Sequence, residues 1–238
     1  MTAIGIISAD RYYHLLATVL SLKNANIKDR MWIIVDDASS AKTKEVYKML
    51  DKVGEKVVLI DRTIKRGLPG LADAFNDIMV NAKRNECEHV FLCPDDIVVN
   101  RYLGECIEKA KAMLTGGVEA IQFFKDSRGS VFLKSKVSDF SDNFIVIGGV
   151  DGFAVLMRTE YACSLSWKVD QKQADETGRS LIWRGIALQM QDKKILEVNE
   201  SLVEHTGNDF NATLRRKKGE GKEIYGVNLN LFRRPAWL

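Results

Sequence analysis

His89-Val90-Phe91-Leu92-Cys93-Pro94-Asp95-Asp96 begins as a buried strand and ends on two adjacent carboxylates. Like charges side by side repel, so a strand that stops on an Asp pair needs a positive group beside it. Met31-Trp32-Ile33-Ile34-Val35 is a second apolar run, and it too ends on paired acids, Asp36-Asp37. Ligands of open α/β sheets bind outside the carboxyl ends of the strands. Two acid pairs at two such ends predict one acidic cleft that takes a metal ion and a nucleotide.

Outward from these runs the chain alternates. Apolar stretches at residues 4–7, 31–35, 56–60 and 89–93 suit doubly buried parallel strands. Each is followed by apolar residues at helical spacing, within 12–20, 42–53, 70–85 and 101–114. Fourfold alternation with short connections predicts βαβ units and a mostly parallel sheet flanked by helices. Beyond Gly116-Gly117 the texture changes. Strand-like segments at 118–124, 131–133, 144–147, 153–157 and 194–198 dominate, with one helix expected within 174–191. The first half reads as doubly wound and the second as mixed.

A chain of 238 residues with 46% hydrophobic content suits one large α/β domain. Only 3 prolines and no Ser/Gly-rich linker interrupt it. Residues 1–238 are therefore expected to form a single domain: a nucleotide-holding half (1–115), a partner-shaping half (116–210) and a basic segment (211–238). The N-terminus lacks the pattern of a signal peptide, and no uncharged apolar stretch is long enough to span a bilayer. The four cysteines show no CxxC spacing and read as reduced thiols, which predicts a cytoplasmic location. The net charge of +3 is uneven: residues 211–238 carry seven basic side chains against two acids. Arg215, Arg216, Lys217 and Lys218 form its densest cluster, read either as a solvated surface or as an arm that meets phosphates.

Phosphate-loop, dinucleotide, zinc-helix and serine-nucleophile signatures are all missing, which removes support from P-loop hydrolysis, hydride transfer and serine hydrolase chemistry. The acids remain. Mg2+ or Mn2+ prefers carboxylate oxygens and substrate phosphates, and a carboxylate also accepts from a base N–H or a ribose hydroxyl. For each pair the alternative is helix N-capping or a turn.

Four segments together resemble the nucleotide-sugar-binding half of a GT-A-fold, family-2-like glycosyltransferase. They are Ile4 to Arg11, Ile33 to Ser40, Arg66-Gly67 to Asn76, and Phe91 to Asp96, and the similarity covers roughly residues 3–100. The resemblance implies a Rossmann-like GT-A fold. By position it makes Asp37 the acid that reads the base, with Ser8, Asp10, Arg11 and Asp36 beside it and Arg66 approaching base or phosphate. Asp95 matches the second acid of the family's Asp-X-Asp motif, which meets metal and donor diphosphate, with Asp96 next to it. The first acid of that motif is here Cys93, a poor ligand for a hard cation. His205 resembles the late histidine that joins the metal. The catalytic base is expected at Asp175-Glu176, with Asp151 and Asp170 as rivals. Arg215 to Lys218 resemble a loop that meets the diphosphate.

The resemblance implies metal-assisted, inverting transfer of a hexosyl or pentosyl group from a nucleoside-diphosphate sugar, with UDP-sugar foremost and Mn2+ or Mg2+ as cofactor. The hydroxyl acceptor is expected to be a saccharide, a glycolipid head group or a hydroxymethylated base in DNA, the last because of the basic tail. A nucleotidyltransferase lacks its glycine-rich loop here. The alternative from another class is a non-catalytic nucleotide- or nucleic-acid-binding module. His14 and His89 read as structural, and Trp167, Trp183 and Trp237 as packing residues.

Overall fold

A computed structural model describes residues 1–124, 138–141, 143–147, 149–150, 154–168, 182–190, 192–206, 233–235 and 237–238. The first half alternates as the periodicity predicts: β1 (Thr2–Ser8), α1 (Tyr12–Asn24), β2 (Arg30–Asp36), α2 (Ala41–Lys52), β3 (Val57–Asp61), α3 (Leu71–Arg84) and β4 (His89–Pro94). Then come β5 (Ile97–Val99), α4 (Leu103–Thr115), β6 (Ala120–Gln122), β7 (Ser138–Ser141), β8 (Phe144–Ile147), β9 (Val155–Arg158), α5 (Thr159–Ser164), α6 (Ile182–Gln189), β10 (Ile195–Val198) and β11 (Val203–His205).

Among the described residues, nine strands form one sheet in the order β3-β2-β1-β4-β9-β6-β10-β8-β7. The pairs β3/β2, β2/β1, β1/β4 and β6/β10 are parallel, whereas β9 runs against both β4 and β6. The order reverses at β1, with β2 and β3 on one side and β4 on the other. That reversal is the switch point at which an open α/β sheet leaves a crevice.

Alternation along the strands divides the core in two. Ile4, Ile6, Trp32, Ile34, Phe91 and Cys93 face α1, α2 and α4. Ala3, Ile33, Val35, Val90 and Leu92 face α3, α5 and α6. Burial on both faces explains why these strands read as continuous apolar runs.

Several short elements escape the periodicity. The Asp95-Asp96 pair precedes not a helix, as the capping alternative required, but the strand β5, which pairs antiparallel with β11. Thr18 of α1 holds β5 from the other side: its hydroxyl donates to Ile97 O (2.7 Å) and accepts from Ile97 N (3.0 Å). Of the segment predicted as a strand over 118–124, only β6 is a strand; 131–133 lies outside the described residues, and the helix expected within 174–191 is described only as α6. Trp167 stacks on Phe75 at 4.9 Å and Trp237 packs on Phe144 at 5.1 Å, both as packing residues; the Trp183 side chain lies outside the description. The thiols of Cys87, Cys93, Cys106 and Cys163 are free. Among the described residues no helix is long and apolar enough to cross a membrane.

At the opposite end of the sheet, Glu55 gathers Arg30 (2.6 and 3.0 Å), the Trp32 indole N–H (2.9 Å) and Lys23 (3.6 Å). The Arg30 hydrogen bonds, against the opposing pull of burial, bring its carboxyl down to about 2. A depressed carboxyl contributes stability above its unfolded value and loses it as pH falls through the folded value. Glu55→Gln should therefore cost about 1–2 kcal/mol at pH 7, discounted for partial solvent screening. Urea unfolding should show that difference closing between about pH 4.5 and pH 2; a difference unchanged at pH 2 would contradict this account.

Candidate active site

The strand ends bring Ser8, Asp36 and Asp61 into register on β1, β2 and β3, with Asp95 and Asp96 just beyond β4. Each acid then has its own partners. Asp36, fully buried, accepts from the Tyr47 hydroxyl (2.8 Å) and from Ser39 N three residues on (3.1 Å), which holds the bend that leads to α2. Asp37 accepts from the backbone N–H groups of Arg66 (2.9 Å) and Gly67 (2.8 Å), so it shapes the 62–70 loop. Arg66 serves there through its backbone, because its guanidinium turns to Asp73 at 2.9 Å. Asp10 turns away from β4 and accepts from Ser40 N, Ser40 Oγ and Thr43 Oγ1 at the start of α2. The Ser40 hydrogen bonds hold its carboxyl below the usual range. Asp10 and Ala38 both adopt positive φ (58° and 57°), so the backbone is bent sharply at two neighbouring strand ends.

The acid pair has a positive group between its members. Arg11, in the turn before α1, donates one guanidinium N–H to Asp96 Oδ2 (2.5 Å) and another to Asp95 Oδ1. The side chains of Asp95 and Asp96 are 0% and 4% exposed, whereas that of Arg11 is 39% exposed. Ala9 N–H donates to Asp95 Oδ2 (3.3 Å), and His205 Nε2 lies 3.1 Å from Asp96 Oδ2. Thr206, through its N–H and hydroxyl, holds the Asp96 carbonyl. Burial pushes the Asp95 carboxyl up despite Arg11. At Asp96 burial also pushes upward, but the His205 hydrogen bond and the Arg11 charge outweigh it and leave the carboxyl below its ordinary value. His14, read from sequence as purely structural, faces Asp96 electrostatically from α1. Nothing in its local sequence signals that. His89 is buried at the start of β4, as expected of a structural residue.

Among the described residues, two buried polar atoms here lack hydrogen-bond partners, Arg11 Nε and Asp96 Oδ1, while the Ser8 hydroxyl meets that of Tyr47. Buried polar groups are nearly always paired, so these two atoms are the ones here that a ligand or an ordered water would satisfy. A divalent cation does not fit beside the guanidinium. Three of the four carboxylate oxygens are already engaged, and Cys93 is buried with its thiol pushed up, which keeps it protonated rather than a ligand. No group of three metal-ligating side chains occurs among the described residues. A groove of about 430 Å³ lined by Met79, Lys83, Cys163 and Trp167 contains none of these residues. Asp151, Asp170, Asp175, Glu176 and the cluster Arg215, Arg216, Lys217 and Lys218 lie outside the described residues.

No family model matches the sequence, and no curated protein matches it either. Solved structures do. The fragment 1–349 of S. aureus TarS is similar at a TM-score of 0.57 and 14% identity, over 90% of this chain and 62% of that one. The present chain thus spans less than two thirds of that fragment. The same fragment in complex with UDP gives 0.58 and 14% over 85% and 59%. An active-site mutant of LgtC is similar at 0.54 and 12% identity, over 99% of this chain and 85% of that one. The mannosyltransferase PcManGT from Pyrobaculum calidifontis, solved with GDP-Man and Mn2+, is similar at 0.49 and 16% over 67% and 44%. At such identities the likeness is one of architecture, and the architecture is that of a GT-A-like glycosyltransferase fold.

Proposed function

We propose that this chain transfers a sugar from a nucleoside-diphosphate donor, foremost a UDP-sugar, to a hydroxyl acceptor. The observation that carries the reading is the cluster of strand-end carboxylates with unpartnered buried polar atoms at the sheet's switch point. The glycosyltransferase fold supports it, as does the UDP bound to TarS.

A carboxylate has room for about four hydrogen bonds. Asp37 uses one on each oxygen for the 62–70 loop and has Arg62 Nη1 3.8 Å from Oδ1, which leaves Oδ2 as the oxygen assigned to a base N–H. Asp96 Oδ1, buried without a partner among the described residues, is the atom assigned to a donor hydroxyl. The acceptor oxygen attacks the anomeric carbon while its proton passes to a carboxylate, assigned to Asp175, Glu176 or Asp151. The bond from the anomeric carbon to the diphosphate oxygen breaks, and the configuration inverts. Arg215, Arg216, Lys217 and Lys218 are assigned to the departing diphosphate. The acceptor classes are saccharide, glycolipid head group and hydroxymethylated DNA base.

The test is a donor panel of UDP-, GDP- and dTDP-sugars, with and without Mn2+ and with each acceptor class. Released nucleoside diphosphate from one donor is the expected result; failure of every donor to bind would end the reading. Asp37→Asn should weaken UDP binding about tenfold, because its amide NH2 would face one of two backbone donors and the loop would loosen. Titration calorimetry checks this, and unchanged affinity would remove Asp37 from the base site. A second reading is favoured by Cys93 and by Arg11 filling the acid pair: a non-catalytic binding module. It predicts nucleotide binding without release, or steep salt dependence if the ligand is a nucleic acid.

A further inference from the structure

We propose that β3 is a self-association edge: two copies of this chain pair their β3 strands antiparallel about a two-fold axis through Leu59, which joins the two sheets into one. The inference is independent of the transfer reading, since neither the crevice at β1 nor the acid pair beyond β4 takes part in it.

A sheet edge exposes a row of unpaired N–H and C=O groups, and proteins blunt it with charge, proline, bulges or brevity. The two edges here differ. β7 is blunted: its four residues include Asp139, and its register against β8 shifts between Asp139 and Ser141. β3 carries none of these devices. Val57-Val58-Leu59-Ile60 has neither charge nor proline, and the strand pairs with β2 without a break. Among the described residues no strand lies on its outer side. The acid that ends it, Asp61, is already held by Lys44 at 2.7 Å. Exposed apolar side chains gather at the same edge. Of the seven large hydrophobic side chains exposed among the described residues, Val53 (54%), Leu59 (41%) and Ile64 (73%) fall within residues 53–64.

The register follows from the ladder. Lys56 O accepts from Trp32 N (2.8 Å) and Arg62 N donates to Asp36 O (3.0 Å). The even-numbered residues therefore bond β2, and Val57, Leu59 and Asp61 turn their N–H and C=O outward. A symmetric antiparallel pair must oppose outward groups with outward groups, and only the axis through Leu59 does so along the whole strand. It sets Leu59 against Leu59 of the second copy, Val58 against Ile60 and Val57 against Asp61, so apolar pairs fill the centre. Lys56 meets Arg62 at either end, where Asp77 at 3.0 Å already compensates the guanidinium. Beyond the strand ends the same register carries Ile64 toward Val53 of the second copy. Residues 53–64 are fewer than the roughly 20–30 a side of a standard interface and bury about 400 Å2 per copy. The dimer is accordingly weak, with a Kd on the order of tens of micromolar.

The experiment is sedimentation equilibrium of the full chain from about 5 to about 500 µM, a range that brackets such a Kd. The mass should pass from monomer toward dimer across it. Leu59→Lys sets two ammonium-bearing side chains opposite each other, with Cβ atoms about 5 Å apart, and should raise the dimer Kd about tenfold or more. Its Tm as a monomer should stay unchanged, because the side chain is exposed. Leu59→Cys should form a disulfide-linked dimer under mild oxidation faster than Val80→Cys, an exposed position on α3, since facing residues of such a pair lie within disulfide reach. That comparison decides the matter if Leu59→Lys does not fold. A chain that stays monomeric throughout, a dimer indifferent to Leu59→Lys, or cross-linking no faster at 59 than at 80 would each overturn the proposal.

Discussion

Asp96→Ala should lower donor turnover by about 10²–10³-fold, the range observed when a preorganised electrostatic partner is removed from an active site. Asp96 is where the site converges. It is buried beyond β4, meets Arg11 and His205 through one oxygen, and leaves the other without a protein partner. Its carbonyl holds Thr206, but that contact is to the backbone and survives the substitution. Arg11 keeps Asp95, so the variant should fold. The check is nucleoside diphosphate release beside a melting curve. Loss of release with Tm within a few degrees supports a role at the reacting centre. Full turnover in the variant would remove the acid pair from the proposed chemistry.

Gly104→Ala should destabilise the fold by roughly 3 kcal/mol or more, which lowers Tm by about 6–12 °C in a chain of this size. A Cβ at this position would lie 2.2 Å from Ala25 O and 2.8 Å from Asn26 O. Both obstacles are backbone at the end of α1, so no rotamer change relieves them. Gly104 stands in the first turn of α4, directly after the β5 segment that α1 also holds through Thr18. Moving α4 off α1 thus loosens β5 and the acid pair before it, and donor turnover should fall together with Tm. Thermal unfolding decides it: a Tm shift under about 2 °C would mean the two helices part without cost.

Local chemistry by itself determined the first half of this molecule. Strands buried on both faces must be apolar at every position, and helices that cover a sheet must repeat their apolar residues every three to four. The runs ending at Val35 and Cys93, and the helices over Leu15–Val19 and Phe75–Ala82, carry those patterns without reference to anything distant. The acids at the strand ends were equally legible, since Asp pairs rarely close a buried strand. Three-residue strands such as β5 and β11 and the six-residue α5 are too short to show a period, and folding alone settled them.

Folding also decided what the acids do. Asp10, Asp36 and Asp37 look alike in sequence, yet one meets α2, one closes a turn against Tyr47 and one shapes the Arg66-Gly67 loop. The positive group demanded by Asp95-Asp96 was implied by like-charge repulsion, but its identity was not. Arg11 and His205 lie more than eighty residues away on either side of the pair, and His14 shares their fate. Periodicity reports which face of an element is buried; it carries no record of which distant side chain arrives there. That depends on strand order, and only the reversal at β1, which sets Arg11 beside β4, gave the acid pair its cation.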